Sequence, residues 1–180
     1  RVQWQNYATV WMNEEASMLR AFANTLYIAL FSIIGQMFIS SLAAYSFAKI
    51  NFKGKQVVFM LFLSSMMVPS QLTIIPRFML FKTIGLYNNL WAIILPAFFG
   101  ATSIFMLRQF YMGLPNDLIE AAKIDGAGHL RIFLRIMLPL TKAALMSLII
   151  LAFISSWNEY MAPLIFLVKK ELYTVSQNIQ

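Results

Sequence analysis

The sequence has no cysteine, so disulfides and thiolate metal sites are excluded. It has a single histidine, His129, which cannot build a metal site or a catalytic triad with partners of the usual kind. We interpret His129 as a solvent- or partner-facing side chain. Charged residues make up only 12% of the 180 residues, against about a quarter in an ordinary soluble domain. This shortage of charge, with 60% hydrophobic residues, predicts a membrane protein.

Nucleotide and catalytic motifs are also absent. No glycine-rich phosphate loop with its lysine occurs, because Gly54-Lys55 lacks the preceding spacing. No segment brings a nucleophile, a base and an acid to one face, so we assign no catalytic, metal-binding or cofactor-binding residue. The net charge of +7 does not indicate nucleic acid, because the basic residues fall in short loops between apolar runs.

The apolar runs predict an all-α integral membrane protein, a polytopic helical bundle. A helix of about 20 apolar residues crosses the roughly 30 Å hydrocarbon core. The predicted transmembrane helices cover residues 25–47, 57–77, 90–107 and 141–165. Pro69 and Pro76 are expected to kink or end the outer part of the second, and Pro96 to bend the third.

Small residues in the first helix favour close packing of another helix. Ser32, Gly35 and Ala43 would let another helix approach closely. The alternative interpretation is that these small residues line a substrate path.

Residues 1–20 mix aromatic and acidic side chains, which suits either the membrane–water interface or an extramembrane loop. The residues concerned are Trp4, Tyr7, Trp11, Glu14 and Glu15. Because the chain opens at Arg1 without a methionine, we interpret it as a fragment with pieces missing at one or both ends.

Basic residues predict the orientation. Alternation of the four helices places eight of them inside and six outside, in modest agreement with the positive-inside rule. The inside residues are Lys49, Lys53, Lys55, Arg108, Lys123, Arg131, Arg135 and Lys142. The stretch 115–139 is therefore predicted to be cytoplasmic.

That stretch is the longest polar interruption of the chain, and it predicts two short helices. Asp117 can cap the first helix while Glu120 reaches back to the cap amide. Gly126 ends that helix, since glycine tolerates the left-handed conformation. The second helix is expected to run from about His129 to Leu138 and to end at Pro139, which cannot continue it.

The spacing within 115–139 resembles the EAA loop of bacterial ABC-importer permeases at every fixed position. The matching residues are Glu120, Ala121, Ala122, Gly126, Ile136, Leu138 and Pro139. The sequence on either side of 115–139 resembles the carbohydrate-uptake branch of this family, and within that branch the maltose-type second permease subunit. The segments that carry this resemblance are Ala43-Ala44-Tyr45, Phe52-Lys53-Gly54-Lys55, Trp157-Asn158-Glu159 and Pro163-Leu164.

The resemblance implies the type I ABC importer permease fold over residues 1–180 and a multi-pass place in the bacterial inner membrane. It implies that 115–139 is the coupling loop, with Glu120, Ala121, Ala122 and Gly126 at the ATPase contact and Ile136, Leu138 and Pro139 in its supporting helix. It implies a second related permease, two ABC ATPase subunits that carry ATP and Mg, an extracytoplasmic solute-binding protein, a sugar substrate and membrane lipid. Such subunits usually have about six helices, so the first and last are expected to be missing.

The substrate path is predicted from fewer signals. Gln71 and Thr73 are candidates to line a cavity beside the broken second helix, although a simple re-entrant end is favoured. Trp157, Asn158 and Glu159 lie near the outer boundary. At that depth Trp157 is interpreted either as a surface on which a sugar stacks or as an anchor at the membrane interface. Glu159 can likewise contact lipid headgroups or pair with Lys169.

The predicted function is a transport subunit, not an enzyme, that carries a sugar or oligosaccharide into the cytoplasm. A polyol or glycerol phosphate is the alternative substrate. A secondary transporter is disfavoured because no Asp, Glu, Lys, Arg or His interrupts the first three helices. A non-transporting scaffold would not explain the ordered loop.

Overall fold

A computed structural model describes residues 18–179, and every regular element in that range is helical. The α-helices in chain order are α1 (Met18–Lys49), α2 (Lys55–Ser64), α3 (Ser70–Thr83), α4 (Trp91–Ala97), α5 (Ala101–Gly113), α6 (Asp117–Ile124), α7 (His129–Ile132), α8 (Leu138–Leu140), α9 (Lys142–Trp157), α10 (Met161–Phe166) and α11 (Val175–Asn178). A π-helical turn, Phe133–Met137, joins α7 to α8. The predicted interfacial aromatics Trp4, Tyr7 and Trp11 lie outside the described residues.

The chain forms two compact units. Of the described residues, unit 1 takes 18–33, 70–97 and 152–179. Unit 2 takes residues 34–69 and 98–151. Each unit therefore combines segments that are far apart in sequence.

Within the described residues, two helical stretches are long and apolar enough to cross a membrane, Met18–Lys49 and Trp91–Gly113. Two further pairs of helices pass the same test if each pair counts as one broken span. The resulting number, two to four, is consistent with a polytopic bundle. The sidedness of these segments stays a prediction.

The second predicted helix, 57–77, is interrupted in the structure. Helix α2 ends at Ser64, a 3-10 turn follows, and α3 begins at Ser70. Val68 is extended, with ψ of 115°, because the ring of Pro69 disfavours the helical conformation in the residue before it. Pro76, in contrast, lies inside α3.

The third and fourth predicted helices are also divided. The segment 90–107 is made of α4, which contains Pro96, and α5, which continues to Gly113. The segment 141–165 is made of α9 and α10, separated by residues 158–160. At each break, the carbonyl and amide groups at the helix ends lose their partners within the helix, so they need side-chain or backbone partners elsewhere.

In unit 2, α1 packs against the chain around α5 through two glycines. A Cβ atom added to Gly35 would collide with the ring of Phe98, and one added to Gly100 would collide with the side chain of Gln36. The Gln36 Nε2 atom donates to Ser103 Oγ over 2.9 Å. These contacts agree with the interpretation of Gly35 as a residue for close helix packing.

In unit 1, the start of α1 binds the chain around α11. Asn24 Nδ2 donates to the carbonyl oxygens of Glu171 and Tyr173, at 2.8 and 3.1 Å. Thr25 Oγ1 accepts from the amide of Val175 at 2.9 Å. Polar side chains of α1 thus satisfy backbone groups elsewhere in the unit.

Substitution of Gly35 by alanine tests the close packing. We expect Gly35→Ala to lower the stability of the protein by about 1–3 kcal/mol, because Phe98 must move to admit the methyl group. The matched control is Gly113→Ala, where an added Cβ meets nothing within 4 Å. Thermal unfolding in detergent measures both, and an unchanged midpoint for Gly35→Ala would contradict the packing.

Candidate functional site: the loop after helix α5

The α6–α7 connection is closed by backbone hydrogen bonds. The amide of Ala127 donates to the carbonyl of Ala122 at 2.9 Å, and that of Gly126 donates to Lys123 at 3.0 Å. Gly126 has a φ of +77°, the left-handed conformation of the residue after a helix end. This pair of bonds with a left-handed glycine is the Schellman motif, as the sequence predicted for Gly126. The connection has a defined backbone geometry.

The start of α6 differs from the prediction. The cap residue is Asn116, whose carbonyl accepts from the amides of Ile119 and Glu120, and its side chain makes no capping bond. Asp117 is the first helical residue, so the predicted Asp117–Glu120 capping box is wrong. The helix begins one residue earlier than the box requires, because the amide of Glu120 already donates to the carbonyl of Asn116. Lys49 Nζ of α1 donates to Asn116 Oδ1 and to the carbonyl of Leu114, both at 2.7 Å, so the side-chain oxygen of Asn116 is engaged by another segment.

Helix α6 has one buried and one exposed side. Ile119 and Ala122 are buried, at 5% and 8% exposure. Glu120 and Ala121 are exposed, and Ile124 is 87% exposed. Within unit 2, therefore, Ala121 presents a small side chain outward, whereas the small size of Ala122 suits its buried position.

The supporting part of the loop is helical through Leu140, beyond the predicted end at Pro139. The amide of Leu138 donates to Phe133 O, five residues back, in the π-helical turn. This altered register accommodates Pro139, which has no amide hydrogen to donate. Phe133 and Met137 are buried, while Ile136 and Leu138 are half-buried and Pro139 is exposed.

Tyr45 connects α1 to α7. Its hydroxyl lies 3.0 Å from Nδ1 of His129. Its ring, only 3% exposed, contacts the rings of Tyr111 and Phe133 with centroid separations of 6.1 and 5.4 Å. His129 is thus held by a side chain of its own chain.

The weaker substrate candidates Gln71 and Thr73 are exposed at the start of α3. Thr73 Oγ1 donates to Ser70 O at 2.9 Å, and Ser70 Oγ donates to Gln71 Oε1 at 3.5 Å. These are local contacts within one helical turn. They do not bring the two residues into a described cavity.

Trp157, Asn158 and Glu159 lie at the end of α9, in unit 1. Trp157 packs edge-on against Phe22 with a centroid separation of 5.5 Å. Asn158 Nδ2 donates to Ile154 O at 2.7 Å. Glu159 Oε1 accepts from the amide of Ala162 at 2.9 Å, at the start of α10, rather than pairing with Lys169. All three side chains therefore have structural partners.

Unit 1 also contains an apolar cavity of about 410 Å³ between α3 and α10. Its walls are aliphatic and aromatic side chains, and none of the predicted substrate residues is among them. The lining residues are Ile74, Ile75, Phe78, Tyr87, Leu164, Ile165 and Val168. Among residues 18–179, no group of three or more His, Cys, Asp or Glu side chains could hold a metal ion.

A family model described as binding-protein-dependent transport system inner membrane component matches residues 36–180. The chain belongs to this family. The matched region contains both α6 and α7 and the end of α1 that holds them. The predicted kinship with ABC-importer permeases is confirmed.

Relatives of the chain are permease proteins. The arabinooligosaccharides transport system permease protein AraQ of Bacillus subtilis (strain 168) is 37% identical over 97% of this chain and 62% of its own length. The sn-glycerol-3-phosphate transport system permease protein UgpE of Yersinia enterocolitica is 33% identical over 90% of this chain and 59% of its own length. The chain thus spans about 60% of the length of these curated relatives.

A solved structure has the same fold. It is that of a bacterial ABC transporter involved in the import of the acidic polysaccharide alginate, with a TM-score of 0.87 and 25% identity. The match covers 97% of this chain and 61% of that one. The all-helical fold of the type I importer permease kind is confirmed.

The structure shows contacts to the loop that the sequence does not predict. The sequence predicts Lys49 only as a cytoplasmic positive charge, and Tyr45 only as part of the resemblance to the family. Asn88 has a φ of +61°, and its Oδ1 accepts from the amides of Val168 and Lys169, both at 3.0 Å. The sequence signal for Asn88 was an Asn-Asn pair in a short connection, which is typical of a left-handed turn residue.

Removal of the Tyr45 hydroxyl tests the link to α7. We expect Tyr45→Phe to speed hydrogen exchange of the amides of residues 132 and 133 about fivefold, because a typical hydrogen bond contributes about 1 kcal/mol. The phenyl ring preserves the contacts with Tyr111 and Phe133. Tyr87→Phe, in unit 1, is the control. Equal exchange in wild type and Tyr45→Phe would show that the hydroxyl does not restrain α7.

Two substitutions of Glu159 test its role at the start of α10. We expect Glu159→Ala to lower stability by about 1 kcal/mol, because the amide of Ala162 loses its acceptor. Glu159→Gln retains an oxygen and should stay close to wild type. Thermal unfolding compares them, with the exposed Glu171→Ala as control. An equal loss in both Glu159 variants would assign the effect to the negative charge, which lies within electrostatic range of Arg77.

Proposed function

We propose that this chain is part of the permease subunit of an ATP-driven importer that carries a sugar or oligosaccharide into the cytoplasm. Family membership supports a transport role. The relatives are named for arabinooligosaccharide and glycerol phosphate transport, which supports a small polar solute here. The solved neighbour is involved in import of a polysaccharide, which favours the same direction here.

The observation that carries the proposal is the closed geometry of the loop. Helix α6 ends in a Schellman motif, its start is held by Lys49, and α7 is held by Tyr45. A segment restrained at three points moves as one piece. A force applied to it by another subunit would therefore reach α1 rather than deform the loop.

The proposed partners follow from this role. Two ABC ATPase subunits would supply ATP and Mg²⁺, since the chain has no phosphate loop of its own. A second related permease and an extracytoplasmic solute-binding protein would complete the importer in the bacterial inner membrane. The exposed side of α6, with Glu120, Ala121 and Ile124, is the surface proposed to enter the ATPase cleft.

The mechanism proposed is mechanical coupling. Closure of the two ATPases on ATP would displace the α6–α7 connection, and Gly126 would keep the angle between its helices. Tyr45 and Lys49 would pass this displacement to α1. The permease would then change between inward-facing and outward-facing states without any chemical step in this chain.

Glycerol phosphate is the second candidate substrate, because the relatives named for sn-glycerol-3-phosphate are 33% identical to this chain. The two substrates differ in charge. Separate uptake assays with labelled oligosaccharide and with labelled glycerol phosphate distinguish them, since only the transported solute accumulates.

Substitution of Gly126 tests coupling. We expect Gly126→Val to reduce ATP-dependent uptake at least tenfold, because a β-branched residue does not tolerate a positive φ and the connection must change shape. A Cβ atom added at Gly126 meets nothing within 4 Å, so the expected effect comes from the backbone conformation. The matched control is Gly85→Val, where φ is also +77° and the space is also open.

The assay uses the full-length protein with its permease and ATPase partners in proteoliposomes. Binding protein and labelled sugar are outside, and ATP is inside. Uptake should need ATP, survive collapse of the proton gradient, and fail in Gly126→Val while the Gly85→Val protein transports. Uptake without ATP that stops with an ionophore would overturn the proposal in favour of a secondary transporter.

A further inference from the structure

Three basic side chains converge on the C-terminal turn of α1 in unit 2. Arg108 Nε donates to Phe47 O at 3.2 Å, and Lys55 Nζ donates to Ala48 O at 3.4 Å. Lys49 is the last residue of the helix. The carbonyl groups of two consecutive residues, Phe47 and Ala48, thus each accept a hydrogen bond from a cationic side chain. The next residue along the chain, Lys49, carries the third positive charge.

The helix end does not balance this charge. The carbonyls at a helix C-terminus act as about half a negative charge, whereas three cations bring three positive charges. Lys49 and Lys55 lie within electrostatic range of each other, as do Lys55 and Arg108. Their described partners are carbonyls and the amide of Asn116, not carboxylates. About two and a half positive charges therefore remain uncompensated.

Hydrogen-bond donors remain at this cluster, which we call the α1 cation cluster (Lys49, Lys55 and Arg108). The guanidinium of Arg108 stacks over the ring of Phe59 at 4.1 Å and is fixed in orientation. Among the described residues, only its Nε atom donates to a protein acceptor. Its terminal nitrogens can therefore donate to two oxygens of an anionic group such as a phosphate.

An apolar surface adjoins the α1 cation cluster. Helix α2 begins at Lys55 and exposes aliphatic side chains along its length, among them Val57 at 58%, Val58 at 47% and Leu61 at 65%. A ligand that satisfies both surfaces has an anionic head and a hydrocarbon tail. Basic clusters beside apolar helices at the cytoplasmic side of a membrane are suited to acidic lipid headgroups.

We propose that the α1 cation cluster binds the phosphate of an anionic phospholipid, with the acyl chains along α2. The lipid would neutralise the turn of α1 that also holds α6 through Lys49. This inference depends on the proposed orientation of the chain in the membrane. It does not depend on transport, because lipid binding can be measured without a transport assay.

The test is native mass spectrometry of the assembled full-length permease complex, titrated with phosphatidylglycerol or with phosphatidylcholine of the same acyl chains. We expect a preference for phosphatidylglycerol that falls about fivefold in Lys55→Gln, since one basic residue near an acidic surface contributes about this factor. Lys55→Arg should restore it. The exposed Lys142→Gln is the matched control, because it removes the same charge elsewhere in unit 2.

Four results would overturn the inference. One is equal retention of the two lipids by the wild-type complex. Another is an equal loss of phosphatidylglycerol in Lys55→Gln and Lys142→Gln. The third is displacement of phosphatidylglycerol by millimolar inorganic phosphate, which would make the site one for free phosphate. If lipid binds the isolated subunit but not the complex, a protein partner occupies the cluster, and the lipid assignment fails.

Discussion

The last turn of α1 is the attachment point on which the arrangement of unit 2 depends. A helix leaves its final carbonyls without internal partners, and those of Phe47 and Ala48 are satisfied by Arg108 and Lys55. The same turn supplies Lys49, which binds the start of α6. One turn earlier, Tyr45 meets α7. Four segments of the chain are therefore positioned by one helix end.

This arrangement explains how a loop with little core of its own keeps a fixed shape. Ile119 and Ala122 bury only one side of α6, which is too short to be stable as an isolated helix. The bonds from Lys49 and Tyr45 and the left-handed Gly126 replace the missing packing. The coupling role proposed for this loop needs this property, because a force on a flexible loop would be lost in bending.

The membrane imposes a second constraint, since backbone groups in lipid have no water to bind. Breaks such as the one before Pro69 release backbone groups, and polar side chains satisfy comparable groups elsewhere. Asn24 binds two carbonyls near α11, and Asn88 binds two amides after α10. Glu159 likewise binds the start of α10. Polar side chains in α1 and in the connections beside α10 therefore satisfy backbone groups of the same unit.

The sequence by itself determined the helical class, the apolar segments, the Gly126 turn and the family, because these depend on composition, local conformation and fixed spacing. The tertiary structure alone decided which donor meets which acceptor. Asp117 has the local pattern of a helix cap, yet α6 begins one residue earlier, and the side chain of Asn116 at the cap position is bound by Lys49, 67 residues away. Ala121 and Ala122 are identical in sequence terms, and only packing makes one exposed and the other buried. Contacts between distant segments have no local signal, so they appear only when the chain is folded.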